Sequence, residues 1–316
     1  GAPGVGKSAM AFEIQKELGF SSVYIIDAAL FSPSDYIVNI PEDGKMKEYI
    51  INVPENALLL IDDITMAEEF QMKPILKMVF EKRLGHVPLN CSFILTGNRI
   101  SDLTAAKDLI STIKNRVVQF SLDPSLDEWL DWAEENNIRK EILSFLTVHP
   151  DKFFSLPIEG VAAWPTPRSW HIFSDILGEE DEKLNPNSIY ALGSGIVGMD
   201  TASIFSNFCK YRYDFDPLKA LKTGEIGEGD RLFLYSRILS VSEYIKKNGL
   251  NKAWIKGIEK LWNNLEGEYK SVFIKSLVIR KRDKKDLSIL INLINSDSVD
   301  LCKHINEIMR LDSKEI

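Results

Sequence analysis

The chain has 316 residues, 45% hydrophobic and 27% charged, the balance of an ordinary globular protein. A net charge of −8 at pH 7 argues against a generally basic nucleic-acid binder, and no apolar run is long enough to span a membrane. Cys91, Cys209 and Cys302 stand apart with no Cys-x-x-Cys pair, which argues against a disulfide scaffold or a zinc site and fits a reducing, cytoplasmic setting. His86, His149, His171 and His304 show no metal-ligand spacing.

The first eight residues, Gly1-Ala2-Pro3-Gly4-Val5-Gly6-Lys7-Ser8, read G-x-x-x-x-G-K-[ST], the phosphate-cradling P-loop. A Gly-rich surface turn is the plain alternative. A helix is expected to follow, with Met10, Ile14 and Leu18 on one face and Gly19 as its stop. In a P-loop, the loop amides and helix N-terminus face the phosphates; Lys7 reaches the β- and γ-phosphates, and Ser8 binds Mg²⁺. A strand normally feeds such a loop, and none precedes Gly1. The expectation is a chain cut at its first motif glycine, with poor ATP binding of its own.

Up to residue 124 the pattern alternates strand and helix, which predicts an α/β fold. Ser22–Asp27, Ala57–Asp62, Ser92–Thr96 and Val117–Leu122 are apolar runs suited to strands buried on both faces of a parallel sheet. Met72, Ile75, Leu76, Val79 and Phe80 predict a helix in which Pro74 is tolerated only near the start. Lys82–Leu89 reads as a small hairpin. Beyond Asp123-Pro124 the pattern is helical, with stripes at Leu126, Trp129, Leu130 and Ala133 and at Ile138, Ile142, Phe145 and Leu146. Thr166-Pro167 reads as the cap and first residue of a helix through Trp170, Phe173 and Leu177. Later stripes include Leu232, Tyr235, Ile238 and Leu239, then Ile255, Ile258, Leu261, Trp262 and Leu265. Arg280–Lys285 is a basic run that reads as a solvated face.

Asp62-Asp63 ends the run Leu58–Ile61, the pattern of a Walker B strand. The first acid is expected near Mg²⁺ through its water shell, and the second to orient or deprotonate the attacking water. Asn98 in Thr96-Gly97-Asn98-Arg99 is placed to hold that water, or it is a Gly-Asn turn. Arg116 suits an arginine finger for a neighbouring subunit, with Arg99 as the alternative finger and a solvated charge as the plain reading. Arg168, behind Pro165-Thr166-Pro167, suits a sensor of the bound phosphates; a surface arginine packed on Trp170 is the plain alternative.

Taken together, GAPGVGKS, LLLIDDI, TGNRISD, KNRVVQF and WPTPRSW resemble the AAA+ ATPases, and within them the MoxR-like branch of phage and bacterial type. Pro124–Ala133 and Ala191–Phe208 also resemble helices of such proteins, so the likeness covers about residues 1–220. It implies Walker A at Gly1–Ser8, with Gly1, Gly4, Val5, Gly6, Lys7 and Ser8 on the nucleotide. It implies metal ligation through Ser8 and Asp62 and catalysis by Asp63, Asn98 (sensor 1) and Arg116 (finger), with Arg168 as sensor 2. It further implies an ATPase core over 1–124 with strand order 5-1-4-3-2, its first strand missing, a helical lid over 125–215 and a helical region of no assigned role over 216–316. ATP and Mg²⁺ are the implied cofactors, a ring of identical subunits, usually six, the implied assembly, and a von Willebrand factor A protein the implied partner. Two departures stand out. The family usually carries Asp-Glu where this chain has Asp62-Asp63, and the missing strand would be the centre of the sheet.

The resulting expectation is a chaperone-like remodeller of protein complexes. The rivals are a DNA-directed motor of replication or restriction, for which Lys82, Arg83 and His86 on the hairpin would make weak phosphate contacts, and a nucleotide-dependent switch with little turnover.

Overall fold

The computed structural model describes residues 1–50, 53–102, 116–157, 160–178, 184–249 and 251–278. The basic run Arg280–Lys285, Cys302 and His304 lie outside them. The chain forms two compact units: the described parts of Gly1–Ser125 with those of Phe154–Ser169, and Leu126–Phe153 with the described part from Trp170 onward.

The first unit starts with α1 (Lys7–Leu18), closed by Gly19 in the left-handed conformation, its N–H bonded to the Gln15 carbonyl. β1 (Val23–Asp27) follows, then β2 (Ile37–Glu42), β3 (Lys45–Ile50), β4 (Leu58–Asp62), α2 (Glu69–Glu81), β5 (Arg83–Leu84), β6 (Val87–Pro88) and β7 (Ser92–Leu95). β1, β4 and β7 form a three-stranded sheet in that order, and both pairings are parallel. The central strand explains its own sequence. Leu58 and Leu60 pack with Ala11 and Ile14 of α1, and Leu59 and Ile61 pack with Met72 and Ile75 of α2. A strand covered by helices on both faces has no polar face, so it is apolar throughout.

The stripe expected on α1 is not the face it buries. Ala11 is buried while Met10 and Leu18 are exposed; Ile14 alone of the three packs on the core. The small Ala11 side chain lets the helix lie close on β4, and the longer apolar residues sit to the side. α2 begins five residues before Pro74, with Glu68 and Gln71 forming a capping box. The hairpin of β5 and β6 lies within the expected Lys82–Leu89. A second hairpin, β2 with β3, was not expected; its two-residue turn is Asp43-Gly44, both at positive φ, the turn that matches the twist of antiparallel strands.

The segment Val117–Leu122 is not a strand. Val118 and Phe120 are 80% and 85% exposed, and among the described residues no strand runs beside it to complete a ladder. An apolar run becomes a strand only where a neighbour takes its backbone hydrogen bonds. The backbone of Gly1 lies against the Leu122 carbonyl, and the Gly1 nitrogen donates to the Gly97 carbonyl at 3.3 Å. The P-loop therefore starts between the end of β7 and residue 122.

The second unit is helical: α3 (Leu126–Glu135), α4 (Lys140–Val148), α5 (Pro167–Leu177, its first turn in the first unit), α6 (Pro186–Ser194), α7 (Met199–Tyr213), α8 (Pro217–Thr223), α9 (Arg231–Asn248), α10 (Ile255–Asn264) and α11 (Gly267–Val278). Side chains of Asn185, Asp216 and Asp230 accept the first free amides of α6, α8 and α9, so these starts are written in the sequence. Phe145, Trp170, Phe173, Phe205 and Phe208 form one aromatic core, and Ile238, Ile258, Leu261, Trp262 and Phe273 form another. Cys91 and Cys209 are buried free thiols. Among the described residues no helix is long and apolar enough to cross a membrane.

Where α10 crosses α8, a Cβ on Gly257 would collide with the Leu221 carbonyl. Backbone cannot yield as a side-chain tip can. Gly257→Ala is expected to destabilise the second unit by roughly 1–3 kcal/mol, read as a lower urea midpoint, with nucleotide affinity unchanged.

Candidate functional site

The C-terminal ends of β1, β4 and β7 bring the polar residues of the first unit together, where ligands bind in open parallel sheets. Asp27 and Asp62 are paired in register at the ends of β1 and β4. The P-loop closes over this edge. Gly4 and Gly6 take φ values of 76° and 95°, conformations that side chains disfavour. Gly6 precedes α1, which has no side-chain cap, and a Cβ on Gly6 would meet nothing within 4 Å. The first amides of α1 are thus available to an anion at an open concavity.

The Lys7 ammonium donates to the Gly1 and Ala2 carbonyls at 3.0 and 2.8 Å and to Asn98 Oδ1 at 2.8 Å. Burial lowers its pKa from 10.5; the carboxylates of Asp63 and Asp62 oppose the shift, and the Arg168 charge adds to it. The Ser8 hydroxyl donates to Asp62 Oδ2 at 2.9 Å. The other Asp62 oxygen, Oδ1, accepts the Thr96 hydroxyl and the Asp63 amide. Both oxygens of Asp62 are therefore oriented. Asp63 stands differently. It turns the chain in the left-handed region, φ 50° and ψ 42°, and among the described residues its carboxylate has no hydrogen-bond partner. Burial raises its pKa above 3.8; the Asp62 charge adds to the shift, and Lys7 opposes it.

The described residues of 154–169 belong to the same unit, and those around Thr166 dock on the loop. The Arg168 amide donates to the Gly4 carbonyl at 3.1 Å, and Thr166 packs where a Gly4 Cβ would be, with its Oγ1 2.8 Å from that point. Thr166 caps α5 as expected: its hydroxyl accepts from the Ser169 amide at 3.0 Å, and Ser169 Oγ accepts from the Thr166 amide at 2.7 Å.

No protein family's sequence model matches the chain, and no curated protein matches it. Among solved structures it is similar to a mutant RuvB of Thermotoga maritima, at 13% identity and a TM-score of 0.36, over 82% of this chain and 78% of that one. That likeness is weak; the geometry of the site is what points to a function.

The structure brings Lys7, Ser8, Asp62, Asp63 and Asn98 into one cluster, with Gly1, Gly4, Val5 and Gly6 forming the loop around it. Arg168 is exposed, and its charge acts on Lys7 and Asp63. Arg116 is exposed, with its guanidinium 5.1 Å from the centre of the Phe80 ring on α2. Arg99 is paired within its own chain, to Asp102 at 3.1 Å and Asp123 at 2.7 Å. Thr96 and Thr65 are residues of the site that motif spacing missed, and Thr166, read from the sequence only as a helix cap, also packs against the loop at Gly4. The available signal was a polar residue closing an apolar strand or following one. A cavity of about 1130 Å³ lies within the second unit, among Ser144, Arg212, Tyr213 and Glu243, and none of residues 1–8 lines it.

The site suits Mg²⁺ with a nucleoside triphosphate. Its donors toward a metal are a hydroxyl and a carboxylate, both oxygen, and among the described residues no group of three or more His, Cys, Asp or Glu makes a cage. Mg²⁺ bound by one or two protein oxygens completes its octahedron with phosphates and water.

Proposed function

We propose that this site, in the full-length protein, binds ATP with Mg²⁺ and hydrolyses it. The observation that carries this reading is the convergence of Lys7, the Ser8–Asp62 pair and Asn98 at the mouth of a glycine loop. Lys7 exchanges its carbonyl partners for the β- and γ-phosphate oxygens and places positive charge on them. Ser8 and Asp62 would hold the metal. Mg²⁺, when bound, neutralises phosphate charge. Asp63 carries the free carboxylate, and its raised pKa suits a base that takes a proton from water. Asn98 Oδ1, tied to Lys7, is placed to orient that water. Arg168 reads the nucleotide from its seat beside Gly4.

On the sequence likeness we assign the chain to the AAA+ ATPases of MoxR-like type, assembling as a ring of identical subunits that remodels protein complexes. The exposed guanidinium of Arg116 supports a finger offered to a neighbour. Arg116→Ala is expected to remove the assembly-dependent part of ATP turnover, about 10³-fold, while nucleotide binding stays intact. Phosphate release from the assembled protein measures it. Full turnover in the assembled variant would move the finger elsewhere.

A further inference from the structure

The β4–β7 ladder ends at Ile61 opposite Leu95. One residue further on, Thr96 holds four consecutive residues of the facing strand end. Its amide donates to the Ile61 carbonyl at 2.9 Å, and its carbonyl accepts from the Ile64 amide at 2.8 Å. Its hydroxyl donates to Asp62 Oδ1 and lies 3.4 Å from the Asp63 amide, whose hydrogen it accepts. A second threonine answers from the other side. Thr65 Oγ1 accepts the Asn98 amide at 3.1 Å, and its methyl group abuts Gly97, where a Cβ would come within 2.7 Å. Both threonines are buried, at 5% and 4% exposure.

We propose that Thr96 and Thr65 form a reciprocal clasp of positioning residues. Thr96 aims the Asp62 carboxylate at the metal and fixes the turn that presents Asp63, and Thr65 fixes Asn98. With Oδ1 of Asp62 taken by Thr96, Oδ2 alone is left to face Ser8. A carboxylate free to rotate would share both oxygens between the two directions. Residues that orient a metal-side ligand act on its affinity from outside the ligand set. Gly97 belongs to the clasp because only a residue without a side chain lets Thr65 approach Asn98. The clasp rests on the triphosphatase reading proposed above.

The test uses the full-length protein and a fluorescent, non-hydrolysable ATP analogue, titrated with and without Mg²⁺. Wild-type protein is expected to bind more tightly with Mg²⁺. Thr96→Val keeps the shape and removes the hydroxyl; it is expected to lose about tenfold of that tightening while Mg²⁺-free affinity holds. Thr96→Ser restores the hydroxyl and the tightening. Thr65→Val keeps the tightening and, in phosphate release from hydrolysable ATP, lowers kcat about tenfold through Asn98. A folded Thr96→Val with wild-type tightening, or a Thr96→Ser as impaired as Thr96→Val, overturns the clasp. Where Thr96→Val fails to fold, the serine variant and Thr65→Val decide: wild-type kcat in Thr65→Val overturns it. Wild-type protein whose binding ignores Mg²⁺ overturns the triphosphatase reading instead.

Discussion

Lys7→Ala is expected to weaken ATP binding by about 100-fold or more, a loss of roughly 2.7 kcal/mol. The ammonium is the compact positive charge of the loop, and it lies among the Gly1 and Ala2 carbonyls and Asn98 at 2.8–3.0 Å. Its removal takes away a charge-assisted bond to phosphate that no neighbour replaces. Lys7→Arg is expected to fail as well, because a planar fork does not fill the place of a point charge. Calorimetric titration with ATP measures both variants, and a thermal melt guards against mistaking unfolding for lost binding. Affinity unchanged in Lys7→Ala would remove the P-loop assignment.

Asp63→Asn is expected to leave ATP affinity intact and to raise stability while nearly stopping turnover. The variant keeps the shape of the turn, and asparagine accepts the left-handed conformation found at φ 50°. It cannot take a proton from water. The expected fall in kcat is about 10²–10³-fold with ATP affinity retained. The sign of the stability change follows from the raised pKa of Asp63. A carboxyl whose folded pKa lies above its unfolded value adds stability while protonated, at acid pH, and loses that contribution as pH rises through the folded pKa. At neutral pH the ionised group is a burden on the fold, so Asp63→Asn is expected to raise the thermal midpoint. For wild-type protein the acid limb of kcat/KM is expected above 3.8, the ordinary aspartate value, because burial and then Asp62 push Asp63 upward. A limb at or below that value would show that Asp63 is not the titrating base. Tight binding with negligible wild-type turnover, rescued by Asp63→Glu, would favour the nucleotide switch.

Much of the first unit was legible because its constraints are local or one-sided. Gly4 and Gly6 of the loop are required by backbone angles, and β4 is apolar because helices cover both its faces. Asp62, Asp63 and Asn98 follow from their places at strand ends. The buried face of α1 was not legible, since Ala11 gives no hydrophobic signal stronger than Met10 or Leu18. The β2–β3 hairpin carried its signal in Asp43-Gly44, which the run of charges around it obscured. Val117–Leu122 shows the limit of composition: the residues suit a strand, but a ladder needs a neighbour. Thr96 and Thr65 were invisible for a similar reason. Their roles exist only once β4 and β7 lie side by side, 34 and 33 residues apart in the bonds they make.

The function proposed for the Lys7–Ser8–Asp62–Asp63 cluster is Mg²⁺-dependent triphosphate cleavage. Phosphate release from saturating ATP by the full-length protein, with Mg²⁺ supplied or withheld, tests it most directly. The expected result is release that requires Mg²⁺ and disappears in Asp63→Asn, which still binds ATP. Release that persists without Mg²⁺, or that Asp63→Asn leaves at the wild-type rate, would contradict it.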